Sequence, residues 1–505
     1  MIFLNYGLTH FPIRADVGYG SAMLRKLTKA ALASSTVLCL TACNSGGQTV
    51  RLLVIGDSHS LTETPARLFL GGQLIHSATA EGLVSFDEKG QVSPALADRW
   101  IVTNDGLSYI FRLRDGIWPD GSRMTGAGAK LALDQAIAAQ HGTPLALDLA
   151  NIAEVRAMAG RVLEVRLSHQ LPDLLQVLAQ PELGLAHRGR GAGPMAIKHQ
   201  GQALLLTPIA PEKRGLPSVT NWSAQARKLR LNASEAEAAV DAFDEGKVNM
   251  VLGGTITDFP LAAGVGLLRG AVRLDPVSGL FGLQVINTNG FLSKPENREA
   301  LAMAIDRPAI GGALSLGGWT TTTRLSPTEQ THGRWSDASF AQSRALASNR
   351  VMQWRKAHGQ QPEVAVSLPS GPGSDSVFTR LQIDFSTIGV NLHRAGPHRA
   401  ADLILLDRIA RYTRTSWYLN QFDCAVSHGP CSAAADALAS QARQTDDEAA
   451  RVALELQAED KYLAANLYIP IGTPVRWSLV NGRTTGFFLN RTGLHPLLPL
   501  AMSAP

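Results

Sequence analysis

What the chain lacks narrows it before any motif is read. Four cysteines occur in 505 residues, and two of them, Cys39 and Cys43, fall in an N-terminal apolar stretch. The remainder holds one pair, Cys424 and Cys431, too few for a scaffold built on disulfides or on cysteine-ligated zinc. The pair sits in Asp-Cys-Ala-Val-Ser-His-Gly-Pro-Cys, where a disulfide would close a small loop; with only His428 nearby, a metal site is the weaker reading. No later run approaches the ~20 apolar residues that a membrane-crossing helix needs. Neither sign of charge dominates. Residues 1–42 hold four basic side chains and one acid, which leaves 43 basic against 41 acidic residues, a balance of +2. With no basic stripe either, nucleic acid is not an expected partner.

A catalytic constellation is also missing. Residues 51–60, Arg-Leu-Leu-Val-Ile-Gly-Asp-Ser-His-Ser, read as a strand and then a turn carrying Ser58. Gly-Asp-Ser in that position resembles the GDS-type serine esterases, in which the serine needs a late histidine base and an aspartate three residues before it. Asp423 and His428 are five apart, and His495 has no aspartate three before it. A nucleophile without its base is a polar turn. The esterase using Ser58 is therefore the alternative reading, and no enzyme activity and no cofactor are expected.

What is present is a long globular chain. Apolar residues make up 45% and charged residues 18%, which describes packed domains, two or more at this length. Near the N-terminus, Leu-Arg-Lys-Leu-Thr-Lys at 24–29 precedes an apolar run, Ala30 to Leu40, too short to span a bilayer. A cationic start, a short apolar run and small residues make a secretory signal, whose expected start is near Met23. Leu40-Thr41-Ala42-Cys43 resembles a bacterial lipobox, in which cleavage leaves Cys43 first and lipid is added to it. Asn44 follows, without the aspartate linked to inner-membrane retention.

The next block is hairpin architecture. Phe-Asp-Glu-Lys-Gly-Gln-Val at 86–92 predicts a turn at Gly90, and Asn104-Asp105-Gly106 joins two alternating runs. Thr125 is placed to cap a helix running through Leu131, Leu133 and Ile137. Further on, Ser234 with Glu237 and Thr445 with Glu448 read as capping boxes, and Gly246 as a helix end. Pro295 opens a helix with Leu301, Ala304 and Ile305 inward, ended by Asp306-Arg307-Pro308. The run from Val377 to Ile388 predicts another, with Gly389 after it.

This order of elements resembles the bacterial extracytoplasmic solute-binding proteins of family 5, the receptors of peptide, dipeptide and nickel importers. The matching residues are Glu81-Gly82-Leu83, Pro94, Leu96-Ala97, Trp100, Asp105-Gly106, Tyr109, Phe111, Leu113-Arg114 and Asp120-Gly121, followed by Gly191 to Met195 and by the block from 281 to Ile310. The resemblance implies an α/β, two-lobed periplasmic-binding-protein (Venus-flytrap, class II or cluster C-like) fold, with mixed sheets flanked by helices. Residues 1–42 would be signal and extension, 44–280 lobe I with a subdomain at about 85–230, 281–474 lobe II, and 475–505 a return to lobe I. It further implies a monomer tethered by lipid on Cys43 on the periplasmic side of a membrane, Gram-negative by expectation. Such a receptor captures a small or peptide-like solute between its lobes and delivers it to an ABC permease and its ATPase; a periplasmic chaperone or sensor of the same fold is the other alternative.

The ligand is sought in the stretch from Ala401 to Cys424. Asp407 ends an apolar strand, and Tyr412, Trp417, Tyr418 and Asn420 follow, aromatic and polar groups of the kind that wall a pocket. The bland reading makes Asp407 a helix cap and Trp417 core. Peptide receptors of the family continue with Asp-Pro or Asp-Asn here, which this chain does not. Arg408, Arg411 and Arg414 read as a solvated helix face before an acid-binding set. His59, Thr62 and Glu63, after the first strand, are candidates for the lobe I side.

Overall fold

The structure, a computed structural model, describes residues 49–61, 68–266, 270–327, 333–396, 400–412, 414–427 and 429–503. The signal segment with Cys43, and Thr62, Glu63 and His428, lie outside these residues.

The turn chemistry builds the expected hairpin. Asp105 Oδ1 accepts from Leu107 N (3.0 Å) and Thr103 Oγ1 (2.6 Å), and Gly106 takes the left-handed φ of 68° that closes the turn. Ala97–Val102 and Ser108–Leu113 pair antiparallel across it. With Val162–Leu167 and Ile152–Ala157 they form a four-stranded sheet. Its inner face, with Phe111, Leu113, Leu163 and Val165, is buried. Thr125 accepts from Gly128 N (3.1 Å) and starts the helix Gly126–Ala139, which buries Ala129, Ala132 and Leu133 while Leu131 faces out.

The residues shared with the family sequence prove to be scaffold. The Glu81 carboxylate pairs with Arg114 (2.7 Å) and with Arg214 (2.5 Å), and Arg114 also donates to the carbonyl of Ala95 (2.8 Å). The Arg114 side chain is 2% exposed. A buried pair adds little net stability, but removing one partner strands a charge and costs about 3–5 kcal/mol.

Two larger sheets carry the rest. The first has seven strands in the order Met195–Gln200, Ala203–Pro208, Leu229–Ser234, Val50–Ile55, Met250–Gly254, Trp477–Val480 and Val272–Leu274. Val50–Ile55 is central and parallel to both neighbours, with Val50, Leu52 and Val54 buried on one face and Leu53 and Ile55 half-buried on the other. The second has five, in the order Asn391–Arg394, Glu363–Ser367, Leu403–Ile409, Gly279–Val285 and Tyr468–Gly472. Its core is closed by the helices Pro295–Ala304 and Pro372–Thr387, whose Leu301, Ala304, Val377, Leu381 and Phe385 are fully buried. The chain passes between the sheets twice, at 275–278 and at 473–476.

Two boundary expectations fail for local reasons, and a third is met with an addition. Ser234 is the last residue of Leu229–Ser234, paired with Ile55, so it cannot cap; the helix Ala236–Asp244 starts after Glu235 without a side-chain cap. At the second expected box Asp447 outcompetes Thr445 and accepts from Ala450 N (2.8 Å). Asp306 does not merely stop a helix; it caps the next one, Arg307–Ala313, accepting from Ala309 N (3.1 Å). Cys424 and Cys431 are joined as a disulfide. Asp436 is the third member of that cluster, but bonded sulfurs make no metal ligands.

The helices Thr415–Asn420, Ala433–Arg443 and Glu448–Ala465 follow the second sheet in sequence, are held to its half of the chain through Glu459, which accepts from Leu325 N (2.8 Å) and Ser326 Oγ (2.8 Å), and also reach the first half. Asp148, in the helix Pro144–Leu149, accepts from the Tyr412 hydroxyl and from Asn420 Nδ2 (2.9 Å). Arg414 reaches Asp173 and Glu448, and Asp446 accepts from Gln170 N (3.0 Å). Burial pushes the Asp148 carboxyl up to about 7, against the bonds from Tyr412 and Asn420 and the charge of Arg443, with Asp173 adding to the rise. Burial likewise lifts Glu455, in the same helix cluster, to about 7. A carboxyl raised on folding contributes stability that is complete below its unfolded value near 4 and is lost as pH rises through 7. Unfolding free energy should therefore fall between pH 4 and 7. Asp148→Asn should make that slope shallower by up to about 1.4 kcal/mol per pH unit, one proton's worth, with Glu455 keeping its own share. Urea titrations across this range read the slope, and an unchanged slope in the variant would contradict the assignment.

Candidate functional site

The parallel strands of the first sheet end together, and the turns after them open a crevice, as open α/β sheets do at the carboxyl ends of their strands. Gly56 and Asp57 follow Val50–Ile55; Thr255 follows Met250–Gly254. Asp57 spends its carboxylate on Ser60 N (2.9 Å), and Ser60 Oγ donates to the Asp57 carbonyl (2.6 Å), which winds Ser58–Leu61 into a short 3-10 turn. Ser58 and His59 are exposed on it. The late histidine is engaged elsewhere. His495 is buried, with Nε2 3.0 Å from Asp275 in the first crossover. The serine and the base that the esterase reading requires are thus committed to different structures.

Both crossovers form the back of the crevice. Asp275 N donates to the carbonyl of Arg476 (3.0 Å), and Asp275 Oδ1 accepts from Asn490 N (3.0 Å). Trp477 Nε1 donates to the Thr255 carbonyl (2.8 Å) and its ring lies on Gly254, where any Cβ would meet the indole at 2.0 Å. The second sheet contributes the opposite wall through Gln284, Ile404, Asp407 and Ile409. Between the walls is a cavity of about 1120 Å³, just above the ~300–1,000 Å³ of small-molecule sites. Asp148 and Tyr412, the bonded pair between the two halves of the chain, close one side of it.

Asp407, Tyr412 and Trp417 line this cavity. Asp407 is in Leu403–Ile409 and caps no helix; its Oδ1 is 2.7 Å from Arg476 Nη1. Burial raises its carboxyl and the Arg476 charge opposes the rise. Trp417 is both wall and core, 8% exposed and edge-on to Tyr418 at 5.0 Å. Tyr418 and Asn420 are not among the lining residues. Tyr418 is fully buried, its hydroxyl pushed up to about 12 by burial, and Asn420 bridges Asp148 and Arg443 (3.2 Å). His59 also lies off the lining, and Glu63 falls outside the described residues.

The arginines are a correction. Arg408 lies within the strand Leu403–Ile409 and Arg411 just after it, so no helix face carries them, and both line the cavity. Arg414 instead serves the Asp173 and Glu448 pairs. Gln73, Asp148, Glu182 and Arg476 complete the polar wall. Nothing local in the sequence marks Gln73 or Glu182. Arg476, just before a short apolar strand at the predicted return to lobe I, was the one with a positional signal.

Residues 91–210 match the middle portion of the bacterial extracellular solute-binding proteins, family 5. One similar protein is the "Probable deoxycholate-binding periplasmic protein YgiS" of Escherichia coli K12, 36% identical over 121 residues, 20% of this chain and 23% of that one. Another is the glutathione-binding protein GsiB of Escherichia coli O1:K1, 25% identical over 138 residues, 27% of this chain and 26% of that one. These matches span about a quarter of either relative's length. OppA of Haemophilus influenzae, solved in complex with RPPGFSPFR, superposes with a TM-score of 0.75 over 91% of this chain and 100% of its own, at 15% identity. That likeness gives the fold, a two-lobed periplasmic-binding-protein architecture. Residues 91–210 thus match the middle portion of the family 5 solute-binding proteins, and the chain as a whole shares the two-lobed fold.

Proposed function

We propose that this protein is a receptor that captures a small organic solute between its two sheets and hands it to a membrane permease. The observation that carries the reading is the cavity itself, walled on one side by the strand ends of the first sheet and on the other by Gln284, Ile404 and Asp407 of the second. A solute held there touches both walls only when they approach. It therefore favours the closed arrangement by its differential affinity, with the crossovers at 275–278 and 473–476 as the hinge. No bond needs to break. An ABC permease and its ATPase are the partners that the family implies, and the receptor acts as a monomer. No helix of the described residues is long and apolar enough to cross a membrane, and the tether is lipid on Cys43 on the periplasmic side.

The relatives supply the first solutes to try, since one is named for deoxycholate and another for glutathione. The protein as purified should carry a small-molecule adduct in native mass spectrometry that leaves on denaturation. After it is stripped, one solute of this kind should raise the melting temperature. A ligand at a hundredfold its Kd stabilises by about 2.7 kcal/mol, well within reach of a thermal scan. A chain with no adduct and no response to deoxycholate, glutathione or short peptides would refute the receptor. Labelled palmitate should enter the wild type and be lost in Cys43→Ser; equal labelling of both removes the tether.

A further inference from the structure

The charges around the cavity are unevenly satisfied. Every carboxylate on its wall has a partner. Asp407 has Arg476, Asp275 has His495 and Asn490 N, and Asp57 has Ser60 N. Asp148 has Tyr412 and Asn420, and Glu182 accepts from Gln73 Nε2 (3.1 Å). Each acid is thus hydrogen-bonded, Asp407 by a cation and Asp57, Asp148 and Glu182 by neutral donors.

Arg411 differs. It lines the cavity and forms no ion pair with a described residue. Nη2 donates to Gln73 Oε1, and the same amide passes its other end to Glu182. Gln73 is thus a neutral spacer between the guanidinium and the nearest acid. It orients Arg411 without neutralising it. Nη1 is buried and has no hydrogen-bond partner. Burial depresses the guanidinium from its usual value, Glu182 opposing this and the nearby Arg476 adding to it. An arginine nonetheless stays protonated at neutral pH, so a charged donor stands desolvated at the cavity wall. Leaving such a group unmatched is costly, and a charge-assisted bond from an oxyanion relieves it. Around it, Leu145, Ile286, Ile404, Ile409 and Trp417 present apolar surface to the same cavity.

We propose that Arg411, held by Gln73, is an anion subsite, and that the solute is an amphipathic organic anion whose carboxylate or sulfonate oxygen bonds Nη1 while its apolar body fills the cavity. The proposal rests on the receptor reading above and adds the chemical class of the solute.

Two fluorescent probes that share an anilinonaphthalene body isolate the charge. 8-Anilinonaphthalene-1-sulfonate carries a sulfonate, and N-phenyl-1-naphthylamine carries none. The full chain, stripped of any adduct, should bind both. Arg411→Gln should weaken the sulfonate probe roughly 10- to 100-fold, the scale of a lost hydrogen bond to a charged group, and leave the neutral probe within about twofold. Arg411→Lys, which keeps the charge, should retain part of the sulfonate affinity. Ile404→Trp, which fills the cavity, should weaken both probes alike. Equal loss of both probes in Arg411→Gln, or no loss of the sulfonate probe, overturns the subsite and leaves the receptor standing. A wild type that takes up neither probe, or an Ile404→Trp variant that binds both normally, overturns the receptor reading and the subsite with it.

Discussion

The two short crossovers, 275–278 and 473–476, are the constraint on which everything else turns. They are the passages of the chain from one large sheet to the other. They are bonded to each other through Asp275 N and the carbonyl of Arg476. On one side Asp275 is fixed by His495 and Asn490, on the other Trp477 is clamped on Gly254 and Thr255. A change in the width of the cavity bears on these residues, because the sheets themselves are packed and pleated bodies. Arg476 extends this fixed element into the second wall by its pair with Asp407. Crossovers and cavity are therefore one structure, and under the proposed function a solute that engages the wall would act directly on the crossovers.

The helices after Leu403–Ile409 add a second tie. They lie against the helix that carries Asp148, and the bonds from Tyr412 and Asn420 converge on that buried carboxyl. Burial raises this carboxyl to about 7, so at the join between the two halves of the chain its charge changes near neutral pH, with Arg443 favouring the ionised form. The price is a dependence on pH that a hydrophobic contact would not have. The same cluster contains Glu455, which Arg414 and Arg451 moderate as Arg443 moderates Asp148.

How much of this was legible in the sequence follows from the range of the interactions. Asn104-Asp105-Gly106, Thr125 and the run from Val377 to Ile388 encode their structures within a few residues, and the chain folds there as its local chemistry dictates. The long resemblance was legible for the same reason: Glu81, Gly82 and Arg114 are a buried pair and its approach, and they hold the scaffold. The cavity had no such signature. Its wall takes Asp57, Gln73, Asp148, Glu182, Arg411 and Arg476 from segments joined only by the fold. Asp407, Tyr412 and Trp417 could be singled out because they share one stretch. Tyr418 and Asn420, from that same stretch, turn inward to the packing of the short helix Thr415–Asn420. Ser234 failed as a cap because strand pairing to Ile55 takes precedence over a local hydroxyl. The arginines were misplaced because a charged run gives no sign of whether strand or helix carries it.

The central claim is that both walls grip one guest. Amide hydrogen exchange of the full chain, with and without bound 8-anilinonaphthalene-1-sulfonate, tests it most directly. The account predicts slowed exchange in residues 140–148 of one wall and 404–412 of the other, appearing together and at the same probe concentration, with 473–478 slowed as the hinge stiffens. Protection confined to one wall, or found only away from both, would contradict it.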